Sequence, residues 1–332
     1  MAALNTLAAA LPELTVSSFL GAWRPDGVAL AAVVLLGGLY AAGVLRRRRA
    51  GGRWPAARTA AFAVLGLGAI VVATMSGLAV YGRVLFWPAA VQNIVLDLIA
   101  PLGLALGDPL ALVAPDGPLH RALTGRVVRL LTYPLVSSAA VLGSELTIYF
   151  TPYFETALHQ DAVRQLMHLQ LLLTGCLFVL PMLTRQELLP RWCTHPVRAA
   201  LVFLDGLFDS VPGIVVMTSG TLVAGHWYAA HPRTWGPDPR QDQMIGGGLM
   251  LTLAELVGLP FLIAVFAQWW RTDRAKNAEL DARLDRELLA ADPAPQPASA
   301  GASAPAASVP EMTRPWWETD AGEVGERMRR RR

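Results

Sequence analysis

The chain has 332 residues, of which 54% are hydrophobic and only 16% charged, and its mean hydropathy is +0.41. That balance excludes an ordinary soluble domain and leaves lipid as the main solvent. The formal net charge of +3 does not point to nucleic acid, because the arginines gather beside the ends of apolar runs, where they orient helices in a bilayer.

Residues 1–26 lack a basic leader, and an apolar stretch of spanning length begins only after Asp26, so they read as an uncleaved extracytoplasmic segment. Crossing the hydrocarbon core takes about 20 apolar residues. Runs at 27–45, 58–81, 84–107, 130–150, 165–183, 198–224 and 245–270 therefore predict an all-α membrane protein, a seven-transmembrane-helix bundle over 27–270. The third run holds Pro88, Gln92, Asn93, Asp97 and Pro101 and reads as a broken or partly re-entrant helix, whose polar backbone must face protein or water.

Arginine bias sets the orientation. The connections 46–57, 108–129 and 184–197 carry Arg46 to Arg49, Arg53, Arg121, Arg126, Arg129, Arg185 and Arg191, and Arg271, Arg274 and Lys276 follow the last run. Those sides face the cytoplasm, which puts the N-terminus outside and the C-terminus in the cytoplasm. Residues 271–290 read as a charged helical extension, 291–310 as a disordered Ala/Pro/Ser linker, and 311–332 as a tail. In that tail Trp316, Trp317 and the closing arginines suit an anionic lipid surface or a partner protein.

Ionisable side chains inside spans cost about 2.5–3.5 kcal/mol on insertion scales, so each wants a partner, a cavity or a function. Here they are Asp97, Glu145, Asp205, Asp209 and Glu255, with His168 near a helix end. Counting the helical rise places Asn93, Glu145, His168, Asp209 and Glu255 in the outer half or near the middle of the bilayer, where they are expected to converge in one outward-facing cavity. Asn93 and Asp97, Glu145 and Tyr149, and Asp205 and Asp209 are each four apart and share a helix face.

Imidazole and carboxylate oxygen both ligate divalent metals, so His168, Asp209, Glu145 and Glu255 form a candidate metal set. The alternative for the same residues is interhelical hydrogen bonding. Loop candidates are His226, His231 and Asp242, in a stretch where Trp227, Tyr228 and Trp235 read as interfacial anchors. Cys176 and Cys193 have no spacing that suggests a disulfide or a zinc site. No phosphate-binding glycine loop, nucleophile elbow or HExxH pattern occurs, so an enzyme is not expected, and Gly246 to Gly248 suit close helix packing.

The motifs RWPAAR at 53–58, SGLAVYG at 76–82, IAPLGLALGDP at 99–109, YFTPYFETAL at 149–158, LMHLQLLL at 166–173 and WGPDPRQDQMIGGG at 235–248 stand together in one chain. From Trp23 to Lys276 the sequence resembles the CtaG family of membrane-embedded cytochrome c oxidase assembly factors. The resemblance implies a multi-pass protein of the bacterial inner membrane that helps mature a terminal oxidase, with copper handled at the outer face and oxidase subunits or their assembly factors as partners. Family members carry two histidines four apart where this chain has Ala89 and Asn93, and further histidines where it has Gln170 and Asp209; His168 is kept. These departures leave room for a non-metal scaffold holding a respiratory or envelope partner, and the buried acids for a proton-coupled small-solute transporter.

Overall fold

The computed structural model describes residues 11–113, 125–184, 193 and 195–291. The linker from 292 onward and the tail with Trp316 and Trp317 lie outside the described residues. The chain divides into two compact units, Met1–Ala275 and Lys276–Arg332, and the bundle belongs to the first.

The helices are α1 (Val16–Gly21), α2 (Gly27–Arg49), α3 (Ala56–Tyr81), α4 (Phe86–Leu106), α5 (Arg126–Leu131), α6 (Pro134–Phe150), α7 (Tyr153–His159), α8 (Asp161–Leu183), α9 (His195–Thr218), α10 (Gly225–Ala230) and α11 (Pro239–Ala291). Among the described residues six of these, α2, α3, α4, α8, α9 and α11, are long and apolar enough to cross a membrane. The chain is thus an all-α, multi-pass membrane protein. The run predicted at 130–150 resolves into α5 and a 17-residue apolar helix, α6. The break falls at Tyr133, which is extended (φ −63°, ψ 126°) because a residue before proline is crowded out of the helical region.

Local sequence explains where the long helices begin and bend. Asp26 caps α2 by accepting the N–H groups of Val28 and Ala29, each at 3.0 Å, and Arg46 to Arg49 close its last turn, where positive charge opposes the helix dipole. Helix α3 widens to a π-helical stretch at Ala61–Leu67 and pauses at Ser76, whose hydroxyl accepts Leu78 N–H and restarts the last turn. Asp238 accepts the N–H groups of Arg240 and Gln241, so α11 starts at Pro239 and not at 245.

Helix α4 corrects the expectation of a broken segment. It is the most enclosed of the six, with 83% of its apolar window buried, and it runs without interruption from Phe86 to Leu106. Pro101 cannot donate to the Asp97 carbonyl, and the helix absorbs this by widening to π geometry over Val95–Ile99. The carbonyl so exposed faces α8 at Gly175, where a Cβ would fall 1.9 Å from it. On the other side α4 touches α3 backbone to backbone: a Cβ on Gly103 would lie 2.2 Å from the Gly66 nitrogen.

At one end of the bundle, here termed the Arg58 end, Tyr40 stacks on Phe62 at 3.9 Å, donates to the Gly107 carbonyl and accepts the Trp54 indole N–H, both at 3.0 Å. A second cluster joins Phe178, Val179 and Met182 of α8 to Phe261 and Val265 of α11.

Candidate functional site

Helix α4 offers Gln92, Asn93 and Asp97 to its neighbours, and each finds a partner on another helix. The Gln92 amide lies 3.2 Å from His168 Nε2, Asn93 donates to the Tyr149 hydroxyl at 3.0 Å, and Asp97 accepts from Thr174 at 3.3 Å. These bonds tie α4 to α6 and α8 and account for polar residues that seemed incompatible with a span.

The residues expected to converge in one cavity have separate surroundings. Asp97, Glu145, Asp205 and Asp209 form one cluster, in which Glu145 interacts electrostatically with the other three and Asp205 is hydrogen-bonded by Ser138. Glu145 is 2% exposed and its Oε2 has no hydrogen-bond partner among the described residues. Glu255 lies on the exposed stripe of α11 and accepts from Ser210 at 3.0 Å.

His168 stands apart from these acids. It lines a cavity of about 340 Å³ at the opposite end from Arg58, together with Arg24, Asp26, Arg83, Asp161 and Arg164. Asp161 pairs there with Arg83 at 2.7 Å and Arg164 at 2.9 Å, and Gln165 donates to Asp26. Burial pulls the Arg83 guanidinium below its ordinary value, with the Asp161 carboxylate opposing.

Gln92 and His168 meet nitrogen to nitrogen. With its nitrogen toward the ring the amide donates to Nε2, and Nδ1 is buried with no hydrogen-bond partner among the described residues. Among the described residues no group of three or more His, Cys, Asp or Glu side chains is arranged to hold a metal.

The loop candidates carry structure. Asp242, 2% exposed, accepts Phe86 N–H at 2.9 Å and Trp87 N–H at 3.1 Å, and pairs with Arg233 at 3.2 Å. Leu85, the residue before α4, offers no side-chain cap, so Asp242 caps α4 from a distant part of the chain. His231 contacts the Trp227 carbonyl through Nδ1 at 2.8 Å, and Trp227 donates to the Arg83 carbonyl at 2.8 Å. Tyr228 donates to the Gly82 carbonyl, and burial pushes its hydroxyl well above the usual phenol value. The His226 side chain is 98% exposed, with Nδ1 4.0 Å from Glu155.

Residues 38–272 match the family described as cytochrome c oxidase caa3 assembly factor (Caa3_CtaG). The chain belongs to this family. Uncharacterized proteins of Mycobacterium bovis and Mycobacterium tuberculosis are each 30% identical to it over 286 residues, 82% of this chain and 43% of theirs. One of Mycobacterium leprae is 29% identical over 280 residues, 80% of this chain and 42% of its own. The chain therefore spans less than half the length of these relatives. No solved structure matches it. Family membership and its apolar helices make it a multi-pass protein of the bacterial inner membrane.

At the positions where the resemblance expects further imidazoles, this CtaG protein has ordinary packing and polar contacts. Ala89 is buried, Asn93 is held by Tyr149, Gln170 donates to Ser144 at 2.9 Å and accepts from Tyr153 at 3.1 Å, and Asp209 belongs to the acid cluster. Reading the sequence alone gave Gln92 no partner and missed Thr174, Ser210 and Arg233. A polar residue every few positions on an otherwise apolar run was the available signal for the first three; nothing local marked Arg233.

Proposed function

We propose that the chain assists assembly of cytochrome c oxidase as a rigid membrane scaffold, without a copper centre of its own in the bundle. The family match over 38–272 carries the first half of this reading. The isolation of His168 supports the second: it stands apart from the acid cluster, and among the described residues no three His, Cys, Asp or Glu side chains are grouped to hold a metal. The residues present do not fit a resident copper ion, and no step of the account runs through one.

Seven spans with the N-terminus outside complete the proposal. Helix α6, at about 1.5 Å per residue, reaches roughly 25 Å, close to the hydrocarbon thickness, and the arginine bias favours a cytoplasmic Arg58 end. In that orientation the His168 cavity and the Asp242 loop face outward, toward the side where oxidase subunits or other assembly factors would dock.

Deleting the gene and recording reduced-minus-oxidised haem spectra of the membranes tests the assembly role. Loss of the oxidase signal, restored by the intact gene, is the expected result; an unchanged spectrum refutes it.

A further inference from the structure

We propose that the cavity at the Arg58 end of the bundle binds the headgroup of one anionic phospholipid. The cavity measures about 760 Å³, within the range of sites that enclose a small organic group. Among the described residues its polar wall presents the guanidinium groups of Arg58, Arg198 and Arg271 and one carboxylate, Asp108. Its apolar wall is made by Leu106, Leu183, Ala264 and Ala267.

The two walls follow the ends of the helices. Leu106 and Leu183 close α4 and α8, Arg58 and Arg198 stand in the first turns of α3 and α9, and Arg271 follows the apolar stretch of α11. Charge therefore lies at headgroup depth and apolar surface just below it, which is the layout of a phospholipid and of no free anion. Basic pockets between helices at a membrane face are a recurrent way of holding such headgroups.

The arginines are arranged for this task and not spent on one another. Arg58 is fixed by stacking 5.1 Å above the Trp54 ring and by a 2.8 Å bond to Asp108, while Arg198 is held at Cys193, its Nε donating to that residue's carbonyl at 3.2 Å. Arg271 has no ion-pair partner among the described residues. Among the described residues, three guanidiniums against one carboxylate leave an excess of positive charge that a phosphate would neutralise. The site does not depend on the proposed oxidase role.

Native mass spectrometry of the full chain in detergent, with phosphatidylglycerol, phosphatidylcholine or inorganic phosphate added, tests the proposal. One phosphatidylglycerol adduct should persist under activation that strips phosphatidylcholine. Arg271→Gln and Arg198→Gln should each weaken it about fivefold, while Arg274→Gln, which removes the same charge from a residue packed on Trp270, leaves it unchanged. Equal retention of the two lipids overturns the proposal, as does equal loss in Arg271→Gln and Arg274→Gln. Displacement of the lipid by millimolar inorganic phosphate would make this a free-anion site and also overturns it. The comparison of lipids on the wild-type chain decides the matter if a variant fails to fold.

Discussion

Asp242 caps a helix that begins 156 residues before it, accepting the first N–H of α4 at 2.9 Å on Oδ2 and the second at 3.1 Å on Oδ1. The same carboxylate is paired with Arg233, both side chains being almost fully buried. Removing one partner of a buried pair costs about 3–5 kcal/mol, because the other charge is left alone. Asp242→Ala should lower the unfolding free energy in detergent by roughly that amount, and Asp242→Asn, which keeps one acceptor oxygen, by less. Wild-type unfolding of Asp242→Ala would show that the cap is not used.

The contact between α4 and α8 tolerates no side chain at Gly175. An added methyl would sit 1.9 Å from the Asp97 carbonyl and 2.7 Å from Pro101 Cγ, so Gly175→Ala must push two spans apart. It should abolish accumulation of folded protein. Gly143→Ala in α6, where nothing lies within 4 Å, should stabilise by up to about 1 kcal/mol through helix propensity. Comparable folded yields of the two variants, read by size-exclusion profile, would contradict this packing.

Arg58 and Asp108 join two sequence motifs, RWPAAR and LGDP, through a 2.8 Å ion pair. Asp108 also sits at φ 50°, a left-handed conformation that Asp and Asn tolerate better than most side chains. Asp108→Asn should therefore lose only the charge, and Asp108→Ala the charge and the conformational tolerance together. Thermal unfolding should rank wild type above Asp108→Asn above Asp108→Ala; the reverse order for the variants would exclude a conformational contribution.

Tyr149→Phe leaves the buried Asn93 amide without its acceptor. The expected loss is about 1–3 kcal/mol, measured by the same unfolding transition. A variant as stable as wild type would mean that the Asn93 amide is satisfied elsewhere.

Much of the fold was legible as apolar length: each predicted run contains a helix, and the caps at Asp26 and Asp238 are short-range signals. What misled was α4. Gln92, Asn93, Asp97 and Pro101 read locally as a broken span, whereas their partners His168, Tyr149 and Thr174 lie 56 to 77 residues away. Pairing across helices leaves no periodic trace in the chain. The same applies to Asp242, which looked like a loop ligand because its two N–H donors are far off in sequence. Glu145 and Asp209 of the expected convergent set lie together with Asp97 and Asp205, while His168 and Glu255 have separate surroundings.

The central claim is that the chain serves oxidase assembly without ligating copper through His168. Its most direct test is the haem spectrum of membranes from a deletion strain carrying His168→Ala, with protein levels matched to wild type. Restoration of the oxidase signal to the wild-type level is the predicted result. A folded His168→Ala protein that fails to restore it, while wild type succeeds, would contradict the account.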